Sequence, residues 1–248
     1  MNPVRIVSPS NKRADRVKTV STIEDVTLVV PSNQVEEYEE HNPDSEVVGV
    51  PMEVKGLVLT RQWILERFGS IFTVDDDINS VRDLLAPSTG PSIYLSPIEV
   101  KELIYSRARL ASEMGVYLFG FSNVPRPIFV KPMHPFRLTG FMPGHCLGIL
   151  PGSKLYYNKE AGLKDDYWIS LLNAYHHRIL LKDMRYWFAQ VDTFKNPGGV
   201  SEQRNMVNES KFTDFLVKHF GSDIVHYKTA SAQGGISHEQ QVEIHIPY

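Results

Sequence analysis

Apolar positions fall into short blocks divided by polar turns, and the period of each block predicts its element. Val4-Arg5-Ile6-Val7 reads as a first strand, closed by the polar turn Ser8-Pro9-Ser10-Asn11. A helix is expected from Arg13 onward, with Val17 and Val20 on its buried side. Val26-Thr27-Leu28-Val29-Val30 is a second strand, ended by Pro31-Ser32-Asn33, and the acidic segment Val35 to His41 predicts a capped helix. Glu46 to Val50 is a third strand. Leu57 to Phe68 is an amphipathic helix that turns Leu57, Ile64, Leu65 and Phe68 inward and stops at Gly69. A fourth strand, Ser70-Ile-Phe-Thr-Val, runs straight into Asp75-Asp76-Asp77. Strands alternating with short helices predict βαβ units and a mainly parallel sheet.

Past this point the pattern changes. Residues 86–91 form a turn-rich linker, and Ser96 to Met114 predicts a long helix whose start suits Pro97 and Glu99. Phe119 to Gly152 is rich in Gly, Pro and aromatics, with β-prone pieces at Ile128-Phe129-Val130 and Phe136-Arg137-Leu138. Tyr167 to Tyr175 is a helix, a last helix covers Glu202 to Phe220, and Val242-Glu243-Ile244-His245-Ile246 alternates like a strand.

Composition narrows the class. Apolar content of 42% and charged content of 22% over 248 residues describe an ordinary globular protein with a sizeable core. No apolar run approaches the ~20 residues of a membrane span, and the amino terminus lacks a signal-peptide pattern, so no membrane association is expected. A single cysteine, Cys146, excludes an internal disulfide framework and fits a reducing cytoplasm. The net charge of −3 exerts no global pull toward nucleic acid, so any polyanion would have to be gripped by a local patch.

The triple acid carries the most chemistry. Carboxylates this close repel unless solvated or bridged by a cation. A hard divalent ion held by one or two carboxylates completes its shell with phosphates. A metal-and-phosphate site at a strand's carboxyl end is the expectation, with Mn²⁺ or Mg²⁺ as the ion. A simpler reading makes Asp75–Asp77 the cap of a helical turn at Val81-Arg82-Asp83-Leu84-Leu85. A calcium loop starting at Asp75 fails, because its sixth position is Ser80 and its twelfth is Ala86. An aspartyl-phosphate-forming phosphohydrolase with Asp75 as nucleophile is a further alternative, and a non-catalytic nucleotide binder another.

Three more features stand in order along the chain: the polar turn with Ser8, Ser10 and Arg13; the acid pair Asp165-Asp166; and the loop Asn196-Pro197-Gly198-Gly199 followed by Arg204. Nucleotide-sugar chemistry needs such parts. Hydroxyls and an arginine hold base and ribose, a cation and Arg204 neutralise a leaving diphosphate, Gly198 and Gly199 let backbone approach it, and a carboxylate serves the acceptor. Each has a plainer reading: helix-start acids for Asp165-Asp166, a solvated helix face for Arg13, and an ion pair with Glu66 for Arg61.

The ordered set Ser-x-Ser-x-x-Arg, Thr60-Arg61, Val74-Asp75-Asp76-Asp77-Ile78, Lys164-Asp165-Asp166 and Asn196-Pro-Gly-Gly resembles GT-A type glycosyltransferases. With Phe119-Gly120-Phe121-Ser122 and Pro135 to Phe141, it most resembles the TET/JBP-associated glycosyltransferases, a group found largely in phages. The resemblance, over residues 4–206, implies a Rossmann-type α/β fold: a mostly parallel sheet flanked by helices with a small β-rich acceptor-side subregion. It implies one domain over 1–248, with 1–85 the nucleotide-binding half and 86–248 the acceptor-side half. It implies transfer from a UDP-sugar to a hydroxymethylated pyrimidine in DNA, in the host cytoplasm; protein or glycan acceptors are the alternative. Asp75 and Asp77 would serve metal and donor in the DXD manner, with Asp76 on ribose or sugar, and Ser8, Ser10, Arg13 and Arg61 on the donor. Asp166, or Asp165 in its place, would approach the acceptor. A late histidine (His226, His238 or His245) would complete the metal shell. Phe119, Phe121, Arg126, Lys131, Arg137 and Phe141 would supply an aromatic pocket and phosphate grip for a flipped base.

Overall fold

Period-two alternation along the first strands sets the layers. The computed structural model describes residues 4–87, 93–190, 206–228 and 241–246. Strands β1 (Arg5–Pro9), β2 (Thr27–Pro31), β3 (Glu46–Val50) and β4 (Ile71–Val74) pair in parallel in the order β3-β2-β1-β4. Ile6, Leu28, Val30, Phe72 and Val74 enter one apolar layer, while Val7, Val29 and Ile71 enter the other. Both faces are buried, which is why these strands read as continuous apolar runs.

Helices α2 (Val35–His41) and α4 (Pro97–Glu113) cover the first layer through Tyr38, Val100, Ile104 and Ala108. Helices α3 (Leu57–Phe68), α5 (Asp165–His176) and α6 (Met206–Phe220) cover the second through Ile64, Trp168, Ile169 and Leu216. The α/β expectation, with helices on both faces of one sheet, holds.

Beyond β4 the sheet continues through β8 (Cys146–Ile149), β6 (Leu118–Ser122), β9 (Leu181–Gln190) and β5 (Ile78–Asp83), and β7 (Phe136–Arg137) also pairs with β9. Here pairings are antiparallel except for β6 with β9. Close approach of backbone to ring fixes one position: a Cβ on Gly148 would overlap the Phe119 side chain. A separate ribbon joins β10 (Val225–Lys228) to β11 (Gln241–Ile244). No helix among the described residues is long and apolar enough to cross a membrane.

Several local expectations are corrected. Val81 to Asp83 is strand, not a helical turn, because Ile78 and Val81 are drawn fully into the core and the backbone pairs with β9. Ser8 and Pro9 extend β1 beside Leu28 and Val29 rather than turning. The helix expected from Arg13 breaks into a 3-10 turn, Ala14–Arg16, and one helical turn α1 (Thr19–Thr22). Ile128 and Phe129 lie in a 3-10 turn, Pro127–Phe129, not a strand. Strand β9 escapes the apolar pattern because it buries charge. Asp183 is fully buried between Arg107 and Arg185, and Lys182 donates to Asn123 and to the Phe141 carbonyl.

Candidate active site

Chain direction creates the crevice. From β1 the chain winds outward to β2 and β3, then returns to place β4 on the opposite side of β1, and open α/β sheets bind ligands beyond the strand ends at such a reversal. The loop carrying Ser10 and Arg13 leaves β1 there, and Asp75–Asp77 leave β4 beside it.

The backbone of the acidic turn is locked. Lys18 and Thr19 amides donate to the Asp76 carbonyl at 2.8 and 3.3 Å, and the Asp75 amide donates to the His145 carbonyl at 3.1 Å. The Thr19 hydroxyl donates to the Asp75 carbonyl and accepts from the Ile78 amide at 3.1 Å. A turn held this way sends its three side chains to three different partners.

Asp76 faces the loop after β1. It accepts from Arg13 Nη1 at 3.0 Å and from the Ser10 hydroxyl, and Ser10 lies 2.8 Å from the Tyr38 hydroxyl, which also takes the Arg13 amide at 3.0 Å. This buried set fixes the loop rather than presenting Asp76 to solvent. Ser8 is fully buried, and its hydroxyl has no hydrogen-bond partner among the described residues.

Asp75 faces α3. Arg61 Nη2 donates to Asp75 Oδ1 at 2.8 Å and to the Gly144 carbonyl at 3.0 Å, while Nη1 donates to Asp165 Oδ2 at 2.6 Å. Arg61 is only 4% exposed and spans both acidic motifs; Glu66 instead accepts from Gln62. Burial lowers the Arg61 pKa, but Asp165 and Asp75 outweigh that and leave it raised. Asp165 is thereby committed to an ion pair inside the protein.

Asp77 faces β9. Gln190 Nε2 donates to Asp77 Oδ1 at 3.1 Å and to Asp75 Oδ2 at 3.0 Å, so one amide sits where two carboxylates converge. Burial pushes Asp75 up to about 6, against the pull of Arg61, and raises Asp77 as well. Asp166 is pushed up to about 7, by burial first and the neighbouring Asp165 second. Three of these five carboxylates, Asp75, Asp76 and Asp165, thus pair with two guanidiniums, Arg13 and Arg61.

This donor set fits a hard divalent ion. Asp75 and Asp77 already aim one oxygen each at a single polar hydrogen donor, and burial makes both carboxyls hold their protons more tightly than usual. No cluster of three or more His, Cys, Asp or Glu that could hold an ion occurs among the described residues, so two carboxylates would leave the remaining positions to phosphate and water. His226 and His245 pack against each other, ring centroids 4.9 Å apart, on the β10–β11 ribbon. His238, Gly198, Gly199 and Arg204 lie outside the described residues.

The sequence did not point to Gln190, Tyr38, Thr19 or Gly144. Gln190 lies 113 residues from Asp77, and no local pattern links them. Gly144 is held to glycine by space, since its Cβ would stand 3.0 Å from Asp166 Cβ and 3.3 Å from Arg61 Nη1. Phe119 and Phe121, expected to flank an acceptor, are instead fully buried in an aromatic cluster with Phe72 and Phe188, because their strand β6 is central in the sheet.

Residues 4–90 match the family model of the TET-Associated Glycosyltransferases. No curated protein matches the chain. Among solved structures, Staphylococcus aureus TarS 1–349 aligns at 11% identity with a TM-score of 0.48, covering 88% of this chain and 71% of that one. A second S. aureus TarS structure aligns at 12% identity and a TM-score of 0.42, covering 88% of this chain and 43% of that one.

Proposed function

We propose that the chain is a divalent-ion-assisted glycosyltransferase that moves a sugar from a UDP-sugar to a hydroxymethylated pyrimidine in DNA, acting in the cytoplasm of a phage-infected host. The family match supports the reaction class, and its span contains Ser10, Arg13, Arg61 and all three aspartates of the turn. The carrying observation is that Arg61 holds Asp75 and Asp165 at once, which puts the acid turn after β4 and the acid pair opening α5 in one site.

Each group then has a role. Asp75 and Asp77 would hold Mn²⁺ or Mg²⁺. When bound, the ion acts as a Lewis acid toward the charge developing on the departing diphosphate. Asp76 keeps Ser10 and Arg13 in place for base and ribose, and Gly198, Gly199 and Arg204 are proposed to close on the phosphates. Asp166, with a pKa near neutrality, takes the proton of the acceptor hydroxyl as it attacks the anomeric carbon. Asp75 as a phosphohydrolase nucleophile is disfavoured, because one of its oxygens is paired with the buried Arg61 and the other faces the proposed ion.

Calorimetry of UDP with and without Mn²⁺ tests the donor half: affinity indifferent to the ion would leave only a nucleotide binder. Incubation with labelled UDP-sugars and hydroxymethylated or plain DNA tests the acceptor. Transfer to glycan or protein but never to DNA would remove the DNA assignment.

A further inference from the structure

We infer that residues 123–141 form a stiff, basic wedge that docks duplex DNA beside Asp166. The inference deepens the acceptor reading above and rests on it. Although the whole chain is acidic, residues 114–159 contain no Asp or Glu and carry Arg126, Lys131 and Arg137. All three are exposed, and none forms an ion pair among the described residues. Interleaved with them are the most exposed large apolar side chains of the described surface, Ile128 at 85% and Met133 at 86%, with Phe129 at 48%. Prolines at 125, 127, 132 and 135 restrict the backbone, so little conformational freedom is lost when the segment is seated.

The two ends of the segment are tied to each other, and the second is tied to the site. Lys182 Nζ donates to Asn123 Oδ1 at 3.1 Å and to the Phe141 carbonyl at 2.6 Å, pinning the stem. The next residue, Met142, donates its amide to the Ser170 hydroxyl at 2.9 Å, and that hydroxyl donates to the Asp166 carbonyl at 2.8 Å. Midway, Phe136 lies under the Arg185 guanidinium at 4.8 Å, with Arg107 at 5.9 Å. The wedge therefore ends two hydrogen bonds from the backbone of the proposed base, and Lys182 ties its start to that end.

Charge and exposure select the partner. Cations spaced along a segment without acids suit a phosphate backbone, and apolar tips between them suit partial unstacking of a base step, which duplex-bending proteins use to expose a nucleotide. An anionic membrane would also attract such a surface. It would place no base hydroxyl beside Asp166, and the test separates the two.

The experiment measures binding of a fluorescent 20-base-pair unmodified duplex, without donor, across a salt series. A triple variant, Arg126→Gln, Lys131→Gln and Arg137→Gln, is expected to lower the steepness of log affinity against log salt by about 3 and weaken binding at least about tenfold at 0.1 M salt. Its affinity for UDP stays native. The pair Ile128→Ser and Met133→Ser should keep the salt slope but lose the fluorescence rise of 2-aminopurine placed at the unstacked step. Duplex binding unchanged in the triple variant overturns the inference. So does wild-type protein that binds vesicles of anionic phospholipid and no duplex. If the wedge variants lose DNA while wild type transfers no sugar to any DNA, the wedge stands and the acceptor reading falls. If wild type glycosylates DNA and the triple variant does so with unchanged KM, the wedge falls and the reading stands.

Discussion

Arg61 Nη1 lies 2.6 Å from Asp165 Oδ2, joining two residues 104 positions apart inside the protein. With Nη2 on Asp75 and on the Gly144 carbonyl, this guanidinium is the point at which the two acidic motifs become one site. Arg61→Met leaves two carboxylates without their cation, and breaking such a pair costs about 3–5 kcal/mol. Urea unfolding should show that loss. Arg61→Lys recovers part of it, because a point charge cannot replace a planar fork that spans three acceptors.

Asp166 should govern the pH dependence of transfer. A base must be deprotonated to accept a proton, so kcat/KM is expected to rise with pH and level off above about 7. Asp166→Asn should remove that limb and lower the rate by ~10²–10⁴-fold while UDP affinity persists. A retained pH profile in the variant would assign the base elsewhere.

Stability should fall as pH rises toward neutrality. Asp75, pushed up to about 6, and Asp166, pushed up to about 7, keep protons in the folded state that the unfolded chain releases near ~3.9. Their contribution is full at acid pH below that value and is lost as pH climbs through about 6 to 7. Mn²⁺ added at pH 7.5 or so should raise the melting temperature by linkage, and Asp77→Asn should abolish that gain. A melting temperature indifferent to Mn²⁺ at every pH counts against the ion.

Gln190→Glu tests the converging oxygens. The amide at 3.0 and 3.1 Å from Asp75 and Asp77 becomes a third carboxylate, which repels both. The expected outcome is a lower melting temperature without metal and tighter Mn²⁺ binding by calorimetry, since an added charged oxygen strengthens a hard-ion site.

Gly144→Ala tests the spacing between base and clamp. The added methyl stands 3.0 Å from Asp166 Cβ and 3.3 Å from Arg61 Nη1. Overpacking of this kind costs ~1–3 kcal/mol, measured as a shift in the urea midpoint. Because the methyl presses on Asp166, kcat should drop more than UDP affinity does.

Much of the fold could be read along the chain, because local period and parallel burial coincide there. The strands at 26–30, 46–50 and 71–74, and the helices ending at His41 and Phe68, appear where apolar spacing placed them. The second half resisted. Strand β9 interrupts its apolar residues with Lys182, Asp183 and Arg185, whose burial makes sense only once Arg107, Asn123 and the Phe141 carbonyl are at hand. Strand β5 looked helical until β9 was beside it.

The site divides along the same line. Residue type and order alone determined that acids follow the fourth strand, that a second acid pair opens a helix, and that an arginine follows the first strand and another lies in the helix before the acids. Only the tertiary structure decided which acid meets which partner. It turned Asp76 into a loop anchor, bound Asp165 to Arg61, set Gln190 between Asp75 and Asp77, and withdrew Phe119 and Phe121 into the core. Those outcomes depend on distances between segments 63 to 115 residues apart, and on how far each carboxylate is taken from water. A linear pattern contains neither quantity.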